Sequence, residues 1–327
     1  LVGSEMCIRD RLWVNDQAVL SGSCKGDLNR QYYETVSLTP YLHAGKNVFA
    51  VQVLYNDPDI ARDQTDERAA IYGVVGAGNC HALAIDGDIT DAFGRVIGTI
   101  STGKALWRVW LDHTFYLKSS EYTVYLGATE ESVDARRSPL EWKRLDFDAS
   151  SWSLACASGP VMPSALFQSV GLIPRVHLMP REIPLMEETE CAFARVIRRK
   201  NDLVLDAGVE VNGYPRFSFN GNAGTEITVT YLERFGNGAD GARIDDMGGT
   251  VEGRADHIIL NGHLVNYEPF WVRTFRYIVV KSSDGKLPEM PAAQVYRKTG
   301  YPLSVESTVD SCLLYTSPSP RDYAASR

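Results

Sequence analysis

The chain has 327 residues, of which 44% are hydrophobic and 23% are charged. This ordinary globular composition excludes collagen-like, coiled-coil and wholly disordered chains, and the length predicts two domains. The 33 basic and 41 acidic residues give a net charge of −8 without any basic block, which argues against binding to nucleic acid or to an anionic membrane. No apolar run approaches the roughly 18 to 20 residues of a membrane-spanning helix.

The two ends of the chain do not read as natural protein. Residues 1–11, LVGSEMCIRDR, back-translate to the transposase end of a sequencing-library adapter, and residues 311–327 back-translate to its reverse complement and continuation. We therefore expect both stretches to be adapter-derived, with the natural sequence running from Leu12 to Asp310. Both natural termini would then be missing, so the sequence leaves the compartment open.

The pattern along the chain predicts β-strands. Several short runs are rich in β-branched and aromatic residues or alternate between apolar and polar side chains, and Gly, Asn and Asp pairs separate them. No amphipathic helix pattern persists for three turns, and no Gly-rich loop joins a strand to a helix. These features predict an all-β fold of antiparallel sandwiches. The predicted strands include Val48–Leu54, Tyr122–Leu126, Arg216–Asn220, Glu226–Leu232 and Phe275–Lys281.

A proline-rich stretch predicts the boundary between two blocks. Five prolines fall between Gly159 and Pro184, and proline cannot donate to a strand ladder, so we expect an extended connector there. We assign residues 12–178 to a first β-sandwich that lacks its N-terminal edge and residues 179–299 to a second. Residues 300–310 would begin a linker.

Two loops concentrate acidic residues. Calcium prefers such oxygen ligands, but the spacing between residues 57 and 67 is not that of an EF-hand, and two arginines supply counter-charges, so a solvated polar loop is favoured. A glycosidase acid/base pair cannot be read from sequence spacing. The Gly- and Asp-rich segment Glu233–Gly249 predicts a mobile hairpin connection, with contact to a neighbour or ligand as the alternative. The carboxylates of the first loop are Asp57, Asp59, Asp63, Asp66 and Glu67.

Other reactive side chains show no catalytic context. The histidines form no HxH, HExxH or triad-like pattern, and the cysteines inside the predicted natural sequence form no CxxC pair, so buried thiols are favoured over a zinc site or a disulfide. The tryptophans could stack on sugars, but packing on a sheet is favoured. These residues are His43, His81, His113, His177, His257, His263, Cys24, Cys80, Cys156, Cys191, Trp13, Trp107, Trp110, Trp142, Trp152 and Trp271.

An ordered set of segments resembles one known arrangement. Leu12–Asp16, Tyr32–Glu34 and Val36–Val51 resemble the galactose-binding-like jelly roll of bacterial glycoside hydrolases. The segments that follow resemble, in order, the two β-sandwiches that precede the catalytic barrel of bacterial-type α-L-rhamnosidases. They are Val133–Arg136, Leu145–Trp152, Leu203–Gly208, Gly213-Tyr214, Gly224–Glu233, Tyr267–Phe270 and Phe275–Tyr277, with Asp206-Ala-Gly208 where the family usually has a DFG turn.

The resemblance implies a galactose-binding-like jelly roll followed by a concanavalin-like sandwich. The family's general acid and base are carboxylates of an (α/α)6 barrel that follows the position of Thr299–Leu303, so no catalytic, cofactor or metal residue carries over to this chain. The parent enzyme would be an inverting hydrolase of terminal α-L-rhamnosyl residues, with the fragment buttressing its barrel or assisting with rhamnose-containing substrate.

Two alternatives remain at this point. The chain could be a stand-alone carbohydrate-binding module, or it could be the front modules of another glycosidase of the β-galactosidase type. The linkage of the glycan and the oligomeric state are left open by the sequence.

Overall fold

The computed structural model describes residues 2–3, 9–22, 30–54, 83–118, 130–139, 141–156, 177–236, 243–244, 247–287, 289–291 and 293–302. Within these residues the chain forms β-strands joined by turns and two 3-10 helices, Thr39–Tyr41 and Ala135–Arg137. Most strand pairs are antiparallel. The predicted all-β class is therefore confirmed for the described part of the chain.

The first block contributes many short strands. They are β1 (Val2–Gly3), β2 (Arg9–Val14), β3 (Gln17–Ser21), β4 (Arg30–Tyr33), β5 (Phe49–Leu54), β6 (Ala84–Ile85), β7 (Asp88–Thr90), β8 (Val96–Thr99), β9 (Arg108–Val109), β10 (Phe115–Lys118), β11 (Glu130–Asp134), β12 (Ser153–Leu154) and β13 (His177–Pro180).

The sheet β3-β2-β5 anchors this block. Asn15 and Asp16 join β2 to β3 with φ angles of 52° and 64°, which gives the tight turn that their sequence predicted. Leu12 and Leu20 pack with Ile85 and Ile100 in a small core. The other described pairs within this block are β1–β6, β7–β8, β9–β12, β10–β11 and the parallel pair β4–β13, so a complete jelly roll stays a prediction for this block.

The second block contains the longer strands. They are β14 (Glu187–Ala192), β15 (Arg195–Arg198), β16 (Asp202–Phe219), β17 (Glu226–Leu232), β18 (Phe235–Gly236), β19 (Arg243–Ile244), β20 (Arg254–Ile259), β21 (Val265–Tyr267), β22 (Arg273–Ser282) and β23 (Val295–Gly300).

Strand β16 organises the second block because it pairs with different partners along its length. Its first part pairs with β15 and β22, and its last part pairs with β23 and β21. The register shifts between Asp206 and Val211, where Gly208 has a φ of 84° and donates its N–H to Asp206 Oδ1 at 2.7 Å. Leu205 from the first part and Phe219 from the last part meet in one core, together with Phe275 of β22.

Two strands of the first block complete this sheet. β11 pairs with β10 and also lies parallel to β20, with Val133 opposite Ile258, so the sheet runs β10-β11-β20-β17-β22-β16-β23-β14. The division at residue 178 remains a prediction from sequence. In the described structure the two blocks share hydrogen-bonded strands.

The segment after β17 packs on the sheet. Phe235 is fully buried against Tyr277, with ring centroids 5.0 Å apart, and forms a second core with Val204 and Val279. Arg199 donates to the carbonyl of Met247 at 2.7 Å. The described parts of Glu233–Gly249 include the antiparallel pair β18–β19, in agreement with the predicted hairpin, and they pack on the sheet of the second block; residues 237–242 and 245–246 lie outside the described residues, and the mobility of the segment stays a prediction.

Candidate functional site at the junction of the two blocks

The loop from Tyr267 to Trp271, which joins β21 to β22, lies where the two blocks meet. One of its sides faces Glu131 on β11, and the other faces charged residues of β16 and β23. In the sequence, Tyr267–Phe270 and Val133–Arg136, which follows Glu131, resemble two separate segments of bacterial-type α-L-rhamnosidases. The structure brings them into direct contact, so we define the junction by this loop and its partners.

Glu131 is fully buried and serves as the acceptor for the loop. Its carboxylate accepts from the backbone N–H of Phe270 at 2.8 Å and of Trp271 at 2.9 Å, and from the Tyr267 hydroxyl at 3.1 Å. Arg273 lies 3.1 Å from Glu131 Oε1. The Glu131 side chain, which belongs to the first block, therefore accepts three hydrogen bonds from the loop of the second block and also faces Arg273.

A second buried carboxylate, Asp256 on β20, shares the same arginine. Arg273 contacts it at 2.6 Å and 3.1 Å, and its guanidinium lies 5.2 Å from the ring centroid of Tyr231. Asp256 also accepts from the backbone N–H of Glu131 at 2.9 Å. Two buried carboxylates thus face one guanidinium, which leaves the cluster with one excess negative charge if both are ionised.

This charge balance controls protonation. Burial raises the pKa of Glu131 to about 7, Arg273 opposes the rise, and Asp256 adds to it. Burial also works against the charge on Arg273, but the two carboxylates outweigh it and hold the pKa of Arg273 well above its usual value. Burial is the main reason why the pKa values of Tyr231 and Tyr267 are well above normal.

The other side of the loop is held by Glu268. Its carboxylate accepts from Arg216 at 2.6 Å and from Arg297 at 2.6 Å, and Arg297 also pairs with Glu188. Burial acts to raise the pKa of Glu268, but the guanidinium groups of Arg11, Arg297 and Arg216 outweigh it and lower the pKa below its usual value. Glu268 is therefore ionised at neutral pH.

Apolar and cationic contacts close the junction. Leu54 at the end of β5 packs with Phe270, Trp271 and Phe115. Arg11 donates to the carbonyl of Pro269 at 2.5 Å and lies 4.9 Å from the ring centroid of Phe270. Arg11 is the last residue of the stretch that we predict to be adapter-derived, whereas the other contacts involve residues outside it.

The chemistry of the junction is that of a structural joint. Donors from the backbone, a tyrosine and an arginine occupy the carboxylate oxygens of Glu131, and Asp256 is similarly saturated. An acid/base pair needs an oxygen free to exchange a proton with substrate. Sequence reasoning missed Glu131 because it lies in the Glu130-Glu131 pair, which reads locally as solvent-exposed.

The tryptophans mostly pack against one another. Trp13 meets Trp142 edge-on at 5.7 Å, Trp142 lies 6.3 Å from Trp152, and Trp152 stacks on Trp110 at 5.9 Å. Trp110 keeps 37% of its surface exposed. Of the remaining two, Trp107 donates to the carbonyl of Ile100 at 3.0 Å and Trp271 is buried at the junction.

The other candidate residues are dispersed. The carboxylates from Asp57 to Glu67, together with Cys24, Cys80 and His81, lie outside the described residues, as does the side chain of His177. His257 contacts Glu226 at 2.7 Å, and His43, His113 and His263 are exposed. Cys156 and Cys191 are free thiols, but Cys156 is exposed and Cys191 is only partly buried, so the prediction of buried thiols is wrong for Cys156. Among the described residues, no group of three or more His, Cys, Asp or Glu side chains could hold a metal ion.

Comparison with known proteins supports the resemblance found in the sequence. Residues 197–296 match the family described as the bacterial alpha-L-rhamnosidase concanavalin-like domain, which confirms the similarity of the second block to this non-catalytic domain. No curated protein sequence matches the chain. In the described part of the structure, no helix is long and apolar enough to cross a membrane.

Solved structures extend the similarity of fold over both blocks. The α-L-rhamnosidase from Streptomyces avermitilis, complexed with L-rhamnose, is 19% identical, with a TM-score of 0.62 over 96% of this chain and 28% of its own. The enzyme from Dictyoglumus thermophilum is 17% identical, with a TM-score of 0.58 over 92% of this chain and 31% of its own. The enzyme from Aspergillus terreus is 18% identical, with a TM-score of 0.54 over 92% of this chain and 33% of its own. The chain thus spans about a third of the length of these structures.

Proposed function

We propose that the chain is the non-catalytic β-sandwich part of an α-L-rhamnosidase-like glycoside hydrolase that removes terminal α-L-rhamnosyl residues. Its role is to form a rigid support for a catalytic domain elsewhere in the full-length protein. The match of residues 197–296 and the shared fold over both blocks support this proposal. We expect the 327-residue chain alone to cleave no rhamnoside.

The observation that favours a supporting role is that hydrogen-bond donors of the protein already occupy the buried carboxyl groups at the junction. Glu131 uses its buried carboxyl group to hold the loop from Tyr267 to Trp271, and Arg273 supplies the positive charge that faces both Glu131 and Asp256. Breaking such a buried pair costs about 3–5 kcal/mol, so the contact fixes one block against the other. A fixed platform is what a neighbouring catalytic domain requires for precise positioning.

The test is expression of the protein from the intact reading frame. The full-length protein should release rhamnose from an aryl α-L-rhamnoside, and proton NMR of the first product anomer should show inversion. A matched control is the same protein with its downstream region removed, which should be inactive. A full-length protein that releases no rhamnose, or whose activity lies on another sugar, would overturn the proposal.

Carbohydrate binding by the first block is a second candidate, supported by the partly exposed stack of Trp110 on Trp152. Aromatic faces bind sugar rings through their C–H groups. Calorimetric titration with rhamnose-containing oligosaccharides, with and without calcium, tests it, with Trp110→Ala as the variant and Trp107→Phe as a control away from the stack. Equal heats for wild type and Trp110→Ala would count against this binding site.

A further inference from the structure

An apolar patch surrounds the point at which the described chain leaves the second block. Ile183, Leu185, Met186 and Tyr301 are 47%, 43%, 39% and 51% exposed. They adjoin because β14 begins at Glu187 opposite Gly300 of β23, which places Met186 beside Tyr301. Together they expose on the order of 400 Å² of mostly apolar surface, which is the size of the largest apolar patch on a typical monomer, and such a patch is often functional.

The patch is organised around Arg181. This residue pairs with the buried Glu34 at 3.0 Å and donates to the carbonyls of Ile183 and Pro184, both at 2.9 Å. Its guanidinium lies 5.9 Å from the ring centroid of Tyr301. Arg181 therefore fixes the backbone at Ile183 and Pro184 against the first block and also contacts Tyr301. The exposed side chains of the patch are thus attached to an ordered backbone.

A pocket opens beside the patch. It has a volume of about 200 Å³ and is lined by Tyr33, Glu34, Thr35, Pro180, Arg181, Ile183 and Leu185. Exposed carboxylates at Glu182 and Glu187 flank the patch. The surface thus offers an apolar centre, room for one side chain and an acidic rim, and its complement is an apolar surface with lysine or arginine at its edge.

We infer that the patch formed by Ile183, Leu185, Met186 and Tyr301 is the seat of the domain that follows Pro302 in the full-length protein. This inference rests on the proposed function, because it assigns a place to the downstream domain. The chain leaves the described structure at Pro302, directly beside the patch, and the solved relatives are about three times as long as this chain.

The size of the patch favours a tethered occupant over a second copy. A stable complex between separate proteins buries about 800 Å² on each partner, roughly twice the exposed apolar area of the patch. A domain linked through Tyr301 and Pro302 docks intramolecularly at an effective concentration of about 1 mM or more, so a smaller contact is enough.

Cysteine accessibility in the full-length protein tests the inference. Ile183→Cys and Met186→Cys place thiols on the patch, and Val196→Cys and Val209→Cys are controls at sites that are 52% and 62% exposed on the same block. Each variant is treated with a maleimide, native and in denaturant, and labelling is read peptide by peptide. We expect the native state to slow labelling by about tenfold or more at positions 183 and 186, and by less than about threefold at the controls.

The outcomes separate the inference from the proposed function. Slowing of less than about threefold at position 183 or 186, in a full-length protein that cleaves rhamnosides, overturns the docking site and leaves the function standing. Protection that disappears on dilution, together with a change in mass by light scattering, assigns the patch to a second copy and overturns the inference. Protection in a protein without rhamnosidase activity supports docking while refuting the proposed enzyme.

Discussion

The protonation of Glu131 links the stability of the junction to pH in the neutral range. The pKa of this carboxyl rises from 4.5 to about 7 in the folded chain because burial outweighs the attraction of Arg273. The folded state therefore holds a proton that the unfolded state releases between these values. This contribution to stability is complete below the unfolded pKa and is lost as the pH rises through the folded pKa.

The size of the effect follows from the two pKa values. When the pH falls from about 8.5 to about 5.5, a carboxyl with this shift increases the free energy of unfolding by about 2 kcal/mol. Glu131→Gln removes the titration. Whatever the constant effect of the amide, the difference in unfolding free energy between wild type and Glu131→Gln should change by about 2 kcal/mol over this range.

Urea unfolding, followed by tryptophan fluorescence at both pH values, measures this difference. Glu130→Gln is the matched control, because Glu130 is the preceding residue of β11 and is only partly buried. Titrating groups that do not interact with Glu131 contribute equally to wild type and variants and cancel, whereas Asp256 interacts with Glu131 directly, so the measured change belongs to this pair of carboxyl groups. If the difference for Glu131→Gln stays constant within about 0.5 kcal/mol, Glu131 is ionised throughout and the conclusion that burial prevails over Arg273 is refuted.

Three further changes test the packing of the second block. In Gly213→Ala the new Cβ would lie 2.5 Å from the carbonyl oxygen of Arg297, so we expect a loss of about 1–3 kcal/mol in urea unfolding. Gly300→Ala, whose Cβ meets nothing within 4 Å, should change the unfolding free energy by less than about 0.5 kcal/mol, and equal effects would contradict this geometry. Phe235→Ala should lower stability by about 3–5 kcal/mol and speed tryptic cleavage of the segment over the sheet, whereas unchanged cleavage would show that Phe235 does not hold it.

Local features of the fold were predictable from sequence. The predicted strand Glu226–Leu232 has the observed bounds, and the predicted Phe275–Lys281 lies inside β22. The turn residues Gly224 and Gly285 have positive φ angles, as expected for glycine in such positions. Alternation and turn chemistry are properties of neighbouring residues, so a single sequence carries them.

The junction was not predictable because its partners are distant in sequence. Glu131 and Asp256 are 125 positions apart, and the sequence offers nothing local that pairs them. The run of β16 through both parts of the domain was also missed, since its bulge at Asp206–Val211 interrupts the alternation that marks a strand. The acidic loop from residue 57 to residue 67 attracted attention by composition alone, and its role stays a prediction.

The parallel pairing of β11 with β20 has a consequence for synthesis on the ribosome. Ser132 pairs with His257, so β11 emerges long before its partner strand has been made. At about 5–20 residues per second, the interval is about 6–25 s, during which the carboxylate of Glu131 has neither Arg273 nor the loop donors. During this interval β10 is the one neighbour of β11 in the sheet that has already been made, and the junction around Glu131 can form only after the rest of the second block has been synthesised.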